Sequence, residues 1–81
     1  MKLPQISGKE LIKKLRKFGF VVVRQKGSHI RLEKNTINKT IKITIPHHTV
    51  LKNGTLHQII KDAELTPEKV FLPLVLSLPW Q

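Results

Sequence analysis

The sequence predicts an α+β fold in the order α-β-β-β-α, a three-stranded antiparallel sheet with helices on one face. Three observations predict it. A helix start and an apolar stripe lie near the beginning, two stretches of alternating polar and apolar residues lie in the middle, and a second helical stripe follows them. At 81 residues one domain over 1–81 is expected, and a chain of that size hides only about 60% of the surface it exposes when unfolded. The core is therefore small, and a shallow surface site is expected rather than a deep cavity.

Ser7 is followed three residues later by Glu10, the spacing of a capping box in which each residue's side chain satisfies the other's backbone N–H. Ile6 before the cap and Leu11 suit a hydrophobic staple, and Leu11, Ile12, Leu15 and Phe18 continue one apolar face. Gly19 supplies the left-handed stop. Phe20 to Gln25 is rich in β-branched residues and reads as the first strand. Lys26, Gly27 and Ser28 make the turn.

From His29 to Glu33 and again from Thr40 to Ile45, polar and apolar residues alternate, so each strand has one buried face. Ile30, Leu32, Ile41, Ile43 and Ile45 are expected inside. His29, Arg31, Glu33, Thr40, Lys42 and Thr44 are expected on the open face. Lys34 to Lys39 is the connecting loop, and Pro46 ends the third strand. Leu56, Ile59, Ile60 and Ala63 fall at helical spacing, with Asn53 or Thr55 as the expected cap. Thr66, Pro67 and Glu68 open one further short helical turn.

Fifteen Lys and Arg against five Asp and Glu give a formal charge of +10. Such a surface calls for a polyanion, because cations that contact phosphates release condensed counterions and gain affinity without choosing a sequence. Nucleic acid comes first among the partners, ahead of an acidic protein or an anionic membrane surface. The chain has no cysteine, which excludes a disulfide scaffold and a thiolate metal site. Met1 to Ile6 shows no long apolar core behind a basic head, so no secretory leader is expected and the expected location is cytoplasmic.

Gly27-Ser28-His29 is the most informative triplet. Glycine permits a tight turn, and the histidine then opens a strand beside Arg24, Lys26 and Arg31. Cleavage of RNA without a metal needs a base for the 2′-hydroxyl proton and a cation for the phosphate charge. His29 can supply the first, and Lys26 or Arg24 the second. A solvated histidine at a hairpin is the plain alternative, and the pattern alone leaves both open. Neighbouring His47 and His48 point apart on extended chain and have no Asp or Glu close by in sequence, so no metal site and no cofactor are expected. His57 is expected to face solvent without a role. Lys13, Lys14, Arg16 and Lys17 sit late in the first helix, where cations favour the helix dipole.

The run from Ser7-Gly8-Lys9-Glu10 through Gly19-Phe20 and Val23-Arg24-Gln25-Lys26-Gly27-Ser28-His29 resembles the HicA mRNA interferase family. So does Leu51-Lys52-Asn53-Gly54-Thr55-Leu56 leading into Ile59-Ile60-Lys61. The resemblance covers about residues 7 to 70. It implies a fold similar to double-stranded-RNA-binding domains, cleavage of mRNA, and neutralisation by an acidic HicB-like antitoxin. It places the functional histidine on His29. Around that histidine, RNA contacts are expected from Arg24, Lys26, Ser28, Arg31 and Lys42. A Pro-x-His element matches Pro46 and His48, which makes His48 an accessory candidate. Glu64 stands where the family often shows glycine, a departure expected to affect only the helix ending.

The main rival is an RNA-binding module without catalysis. Only Lys52 precedes the second helix, whereas such a module would need a basic cluster there to reach major-groove phosphates. Residues 71–81 form an apolar extension too short to span a bilayer. It is expected to pack on its own domain or to join a second copy as a homodimer.

Overall fold

The computed structural model describes residues 3–71. Its elements are α1 (Gly8–Arg16), β1 (Val21–Lys26), β2 (His29–Asn35), β3 (Thr40–Pro46), α2 (Asn53–Asp62) and α3 (Pro67–Phe71). The strands form one antiparallel sheet in the order β1-β2-β3. This is the double-stranded-RNA-binding-domain-like α+β arrangement that the sequence predicts. The role expected for the extension lies outside the described residues, of which only Phe71 belongs to it.

The capping box forms as predicted. The Glu10 N–H donates to Ser7 Oγ at 3.0 Å, and the Ser7 N–H donates to Glu10 Oε1 at 3.1 Å. At the other end of α1 the Gly19 N–H donates to the Arg16 carbonyl at 3.1 Å and the Phe20 N–H to the Leu15 carbonyl at 3.3 Å. With Gly19 at φ 98°, these bonds make a Schellman stop.

Helix α2 ends the same way, with Glu64 N–H on Lys61 and Leu65 N–H on Ile60. There Glu64 itself takes the left-handed conformation, at φ 61°. The start of α2 departs from expectation. Lys52 is the cap and no side chain caps the helix, because Asn53 and Thr55 both already lie inside the first turn. Strand β2 also runs on to Asn35. The connecting loop shortens to residues 36–39, where Thr36 binds Lys39 by backbone and hydroxyl.

Ile30, Leu32, Ile41, Ile43 and Ile45 are buried, together with Leu11 and Leu15 of α1 and Leu56, Ile59 and Ile60 of α2. Both helices pack on β3. Among the described residues no polar or charged side chain is buried, so apolar packing carries the core. Truncating a fully buried leucine such as Leu11 to alanine should cost about 2–5 kcal/mol.

Strand β1 differs from its neighbours, since all six of its residues are exposed. Its pairing with β2 is interrupted between Val22 and Arg24 by a bulge. Arg24 and Lys26 lie opposite Arg31 and His29, whereas Val22 lies opposite buried Leu32. The extra residue, Val23, thus lets a run of three valines join a strand whose cations face away from the core.

Helix α1 is tied to the end of β3. The Gly8 N–H donates to the His48 carbonyl at 2.9 Å, and the Leu51 N–H to the Ile6 carbonyl at 2.8 Å. A Cβ on Gly8 would collide with the Pro46 carbonyl oxygen. Gly8→Ala should therefore lower stability by about 1–3 kcal/mol, measured by urea denaturation.

Glu10 holds its carboxyl below the usual range, chiefly because the Ser7 backbone N–H binds it, then through the Ser7 hydroxyl, with Lys14 and Lys13 adding a weaker pull. A depressed folded-state pKa gives stability that is present above the unfolded value and lost as pH falls through the folded one. The gap in thermal midpoint between the native chain and Glu10→Gln should accordingly narrow on acidification. A gap independent of pH would contradict this.

Candidate nucleic-acid interface

His29 is placed by a turn and by two flanking strands. Gly27, at φ 58°, closes the turn between β1 and β2, a conformation that costs other L-residues roughly 1–2 kcal/mol. His29 then opens β2, with Lys26 of β1 on one side and Pro46 of β3 on the other. The turn is anchored where it matters, because the His47 N–H donates to the Ser28 carbonyl at 2.6 Å. The end of β3, itself held by α1, thus holds the turn that carries His29.

Alternation places His29, Arg31, Lys42 and Thr44 on the open face, all exposed, with Glu33 half-buried beside Lys42. Arg24 and Lys26 join them because the bulge lies on the far side of Arg24. Arg24, Lys26, His29, Arg31 and Thr44 line one shallow depression of about 380 Å³. Four of the sequence-predicted residues, His29, Arg24, Lys26 and Arg31, therefore meet. Thr44 was placed on the open face by alternation, but nothing in the sequence marked it as part of the site.

The other three candidates stand apart from that depression. Lys42 lies further along the open face, opposite Glu33. Ser28 is exposed in the turn, and its recorded bond is made by its carbonyl. His48 sits beside the start of α1, lining a separate hollow with Ser7, Lys9, His47 and Thr49. The reason is local. After Pro46 the chain turns, with the His48 N–H on the Pro46 carbonyl at 2.9 Å, and leaves the strand direction.

His57 corrects the expectation of a solvent-facing side chain. It is half-buried and borders a hollow with Gly54, Gln58, Lys61 and Pro67. Glu10, Lys13, Lys14 and Lys17 line another hollow on α1, which lies on the helix side of the sheet. Among the described residues no three His, Asp or Glu side chains group as a metal site. No helix among them is long and apolar enough to cross a membrane.

Comparison with family models matches residues 8–65 to the HicA toxin of bacterial toxin-antitoxin systems. The chain belongs to the HicA toxin family. A comparison with curated proteins gives no match. The matched HicA segment runs from the first residue of α1 to just past the left-handed Glu64. It therefore contains the whole sheet, the Gly27 turn and every residue lining the His29 depression. Membership makes this chain a toxin of a toxin-antitoxin pair.

In this HicA chain a Cβ on Gly27 would meet nothing within 4 Å, so Gly27→Ala tests backbone strain alone. It should cost roughly 1–2 kcal/mol and shift the His29 imidazole resonances in an NMR spectrum. Unchanged resonances and unchanged stability would show that the turn does not need glycine.

Proposed function

We propose that this toxin is an endoribonuclease that cuts mRNA without a metal ion, with His29 as the general acid and base. One observation carries the reading: an exposed imidazole shares a shallow depression with three cations, Arg24, Lys26 and Arg31. A phosphodiester seated there has its negative charge opposite the guanidinium and ammonium groups. The imidazole nitrogen takes the proton of the 2′-hydroxyl, the 2′-oxygen forms a bond to phosphorus, and the bond from phosphorus to the 5′-oxygen breaks. The departing oxygen takes a proton from the imidazolium or from water. A single base of this kind contributes about 10²–10⁴-fold.

The cations hold the charge that builds on the phosphoryl oxygens. Lys42, Ser28 and His48 do not line the depression, and their proposed part is to bind RNA around it. Binding spread over many cations has little sequence preference and falls steeply with salt. The cytoplasm, where mRNA is found, is the proposed place of action.

The antitoxin is proposed to be an acidic protein that covers the His29 face. Charge complementarity to a +10 chain speeds its capture of a freshly made toxin.

Replacing His29 by alanine tests the catalytic role. Because the side chain is exposed on a strand, stability should change by no more than about 0.5 kcal/mol, and RNA affinity should stay within a few-fold of the native value. Cleavage of a single-stranded RNA should disappear, while the native chain should keep cutting in EDTA. If His29→Ala cuts at the native rate, another group carries the chemistry; if the native chain cuts no RNA, the chain is an RNA-binding module whose toxicity has another source. Loss of native cleavage in EDTA would make the chemistry metal-dependent.

A further inference from the structure

Among the described residues the sheet leaves one apolar feature without a partner. Strand β1 pairs only with β2, so the N–H and C=O groups along its outer edge have no strand beside them among the described residues. On that edge Val21, Val22 and Val23 are 55%, 45% and 49% exposed. Opposite register places Val21 on the open face and Val22 on the helix face, so the exposed apolar surface wraps around the edge. Exposed β-branched edges of this kind pair with other strands unless something blocks them.

We propose that the outer edge of β1 is the docking surface for the antitoxin, an acidic protein that adds a strand to this sheet. The proposal rests on the toxin-antitoxin reading and specifies how the partner engages. Strand addition draws affinity from main-chain hydrogen bonds and specificity from alternate side chains. The edge offers two chemistries in sequence: three valines, then Arg24 and Lys26. Neither cation is ion-paired among the described residues, where the salt bridge found joins Lys39 to Glu64. The complementary strand is apolar opposite Val21 to Val23 and carries carboxylates that reach Arg24 and Lys26.

Charge decides between this occupant and a second copy. Two chains of formal charge +10 repel at close range, whereas an acidic strand gains from the same field. Because Arg24 and Lys26 also line the His29 depression, pairing along β1 would engage the cations that the proposed chemistry uses. The added strand would then fix the register from which the rest of the partner covers the His29 face.

The test uses the full chain, alone and co-expressed with the acidic product of the neighbouring reading frame. Amide hydrogen exchange of the β1 residues whose N–H groups point away from β2 should be fast in the free chain and slow by at least about tenfold in the complex. Val23→Lys, at the bulge, should weaken the complex about tenfold or more while leaving RNA cleavage and the circular dichroism spectrum of the free chain unchanged. A complex in which β1 exchanges as it does in the free chain overturns the edge docking and leaves the toxin-antitoxin reading standing. Failure to form any complex overturns both. Slow exchange of those outward amides in the free chain would also overturn it, naming residues 72–81 as the occupant if independent of concentration and a second copy if not.

Discussion

A chain with little apolar material can cover one face of a sheet and no more. Here that face consists of Ile30 and Leu32 of β2 and Ile41, Ile43 and Ile45 of β3, closed by Leu11, Leu15, Leu56, Ile59 and Ile60 from the helices. Side chains alternate along a strand, so burying this set sends His29, Arg31, Lys42 and Thr44 to the opposite face. Slipping β2 by one residue would bring His29 and Arg31 into the core and expel two large hydrophobes. The register that makes the core is therefore the register that makes the cationic face.

Precision at His29 has a second source, at the end of β3. Gly8 lets α1 approach the Pro46 carbonyl closely, His48 accepts the Gly8 N–H, and His47 donates to Ser28 inside the turn. Helix, strand end and turn are thus joined through backbone bonds that do not depend on side-chain conformers. Strand β1 has no comparable support. Among the described residues it is held in the sheet by β2 alone, and its exposed valines contribute little to the core. The cations it carries sit on the least secured strand of the sheet, where a partner can most readily alter their positions.

Sequence patterns with a strict physical cause were legible without the structure. The capping box at Ser7 and Glu10, the glycine stop at Gly19 and the inward set on β2 and β3 follow from spacing, and all are found where spacing puts them. What was not legible depended on contacts between distant residues. Nothing in the run of valines announces that Val23 is a bulge, because a bulge exists only relative to the partner strand. The split between His48 and His29 is of the same kind, since the turn after Pro46 is set by backbone bonds to Pro46 and Gly8. Thr44 enters the site because β3 lies beside β2, a neighbour relation that alternation along one strand cannot express. The α2 cap failed for a local reason: Asn53 is a good capping residue one position too late.

The distribution of charge separates two tasks that a basic RNA-cleaving protein must perform. Attraction of a polyanion is a sum over many cations, and it survives the loss of any one of them. Proton transfer in the proposed reaction belongs to a single imidazole. The two tasks overlap only where Arg24, Lys26 and Arg31 surround His29. Control of such a protein is therefore most economical at that overlap. A partner that neutralised the α1 lysines would reduce affinity by degrees, because the remaining cations still hold RNA. A partner that engages Arg24 and Lys26 would remove charge stabilisation at the phosphate in the proposed reaction. Those two side chains also lie on an edge strand of the sheet, so the same main-chain groups that offer a docking register lead directly to the cations that the proposed chemistry uses.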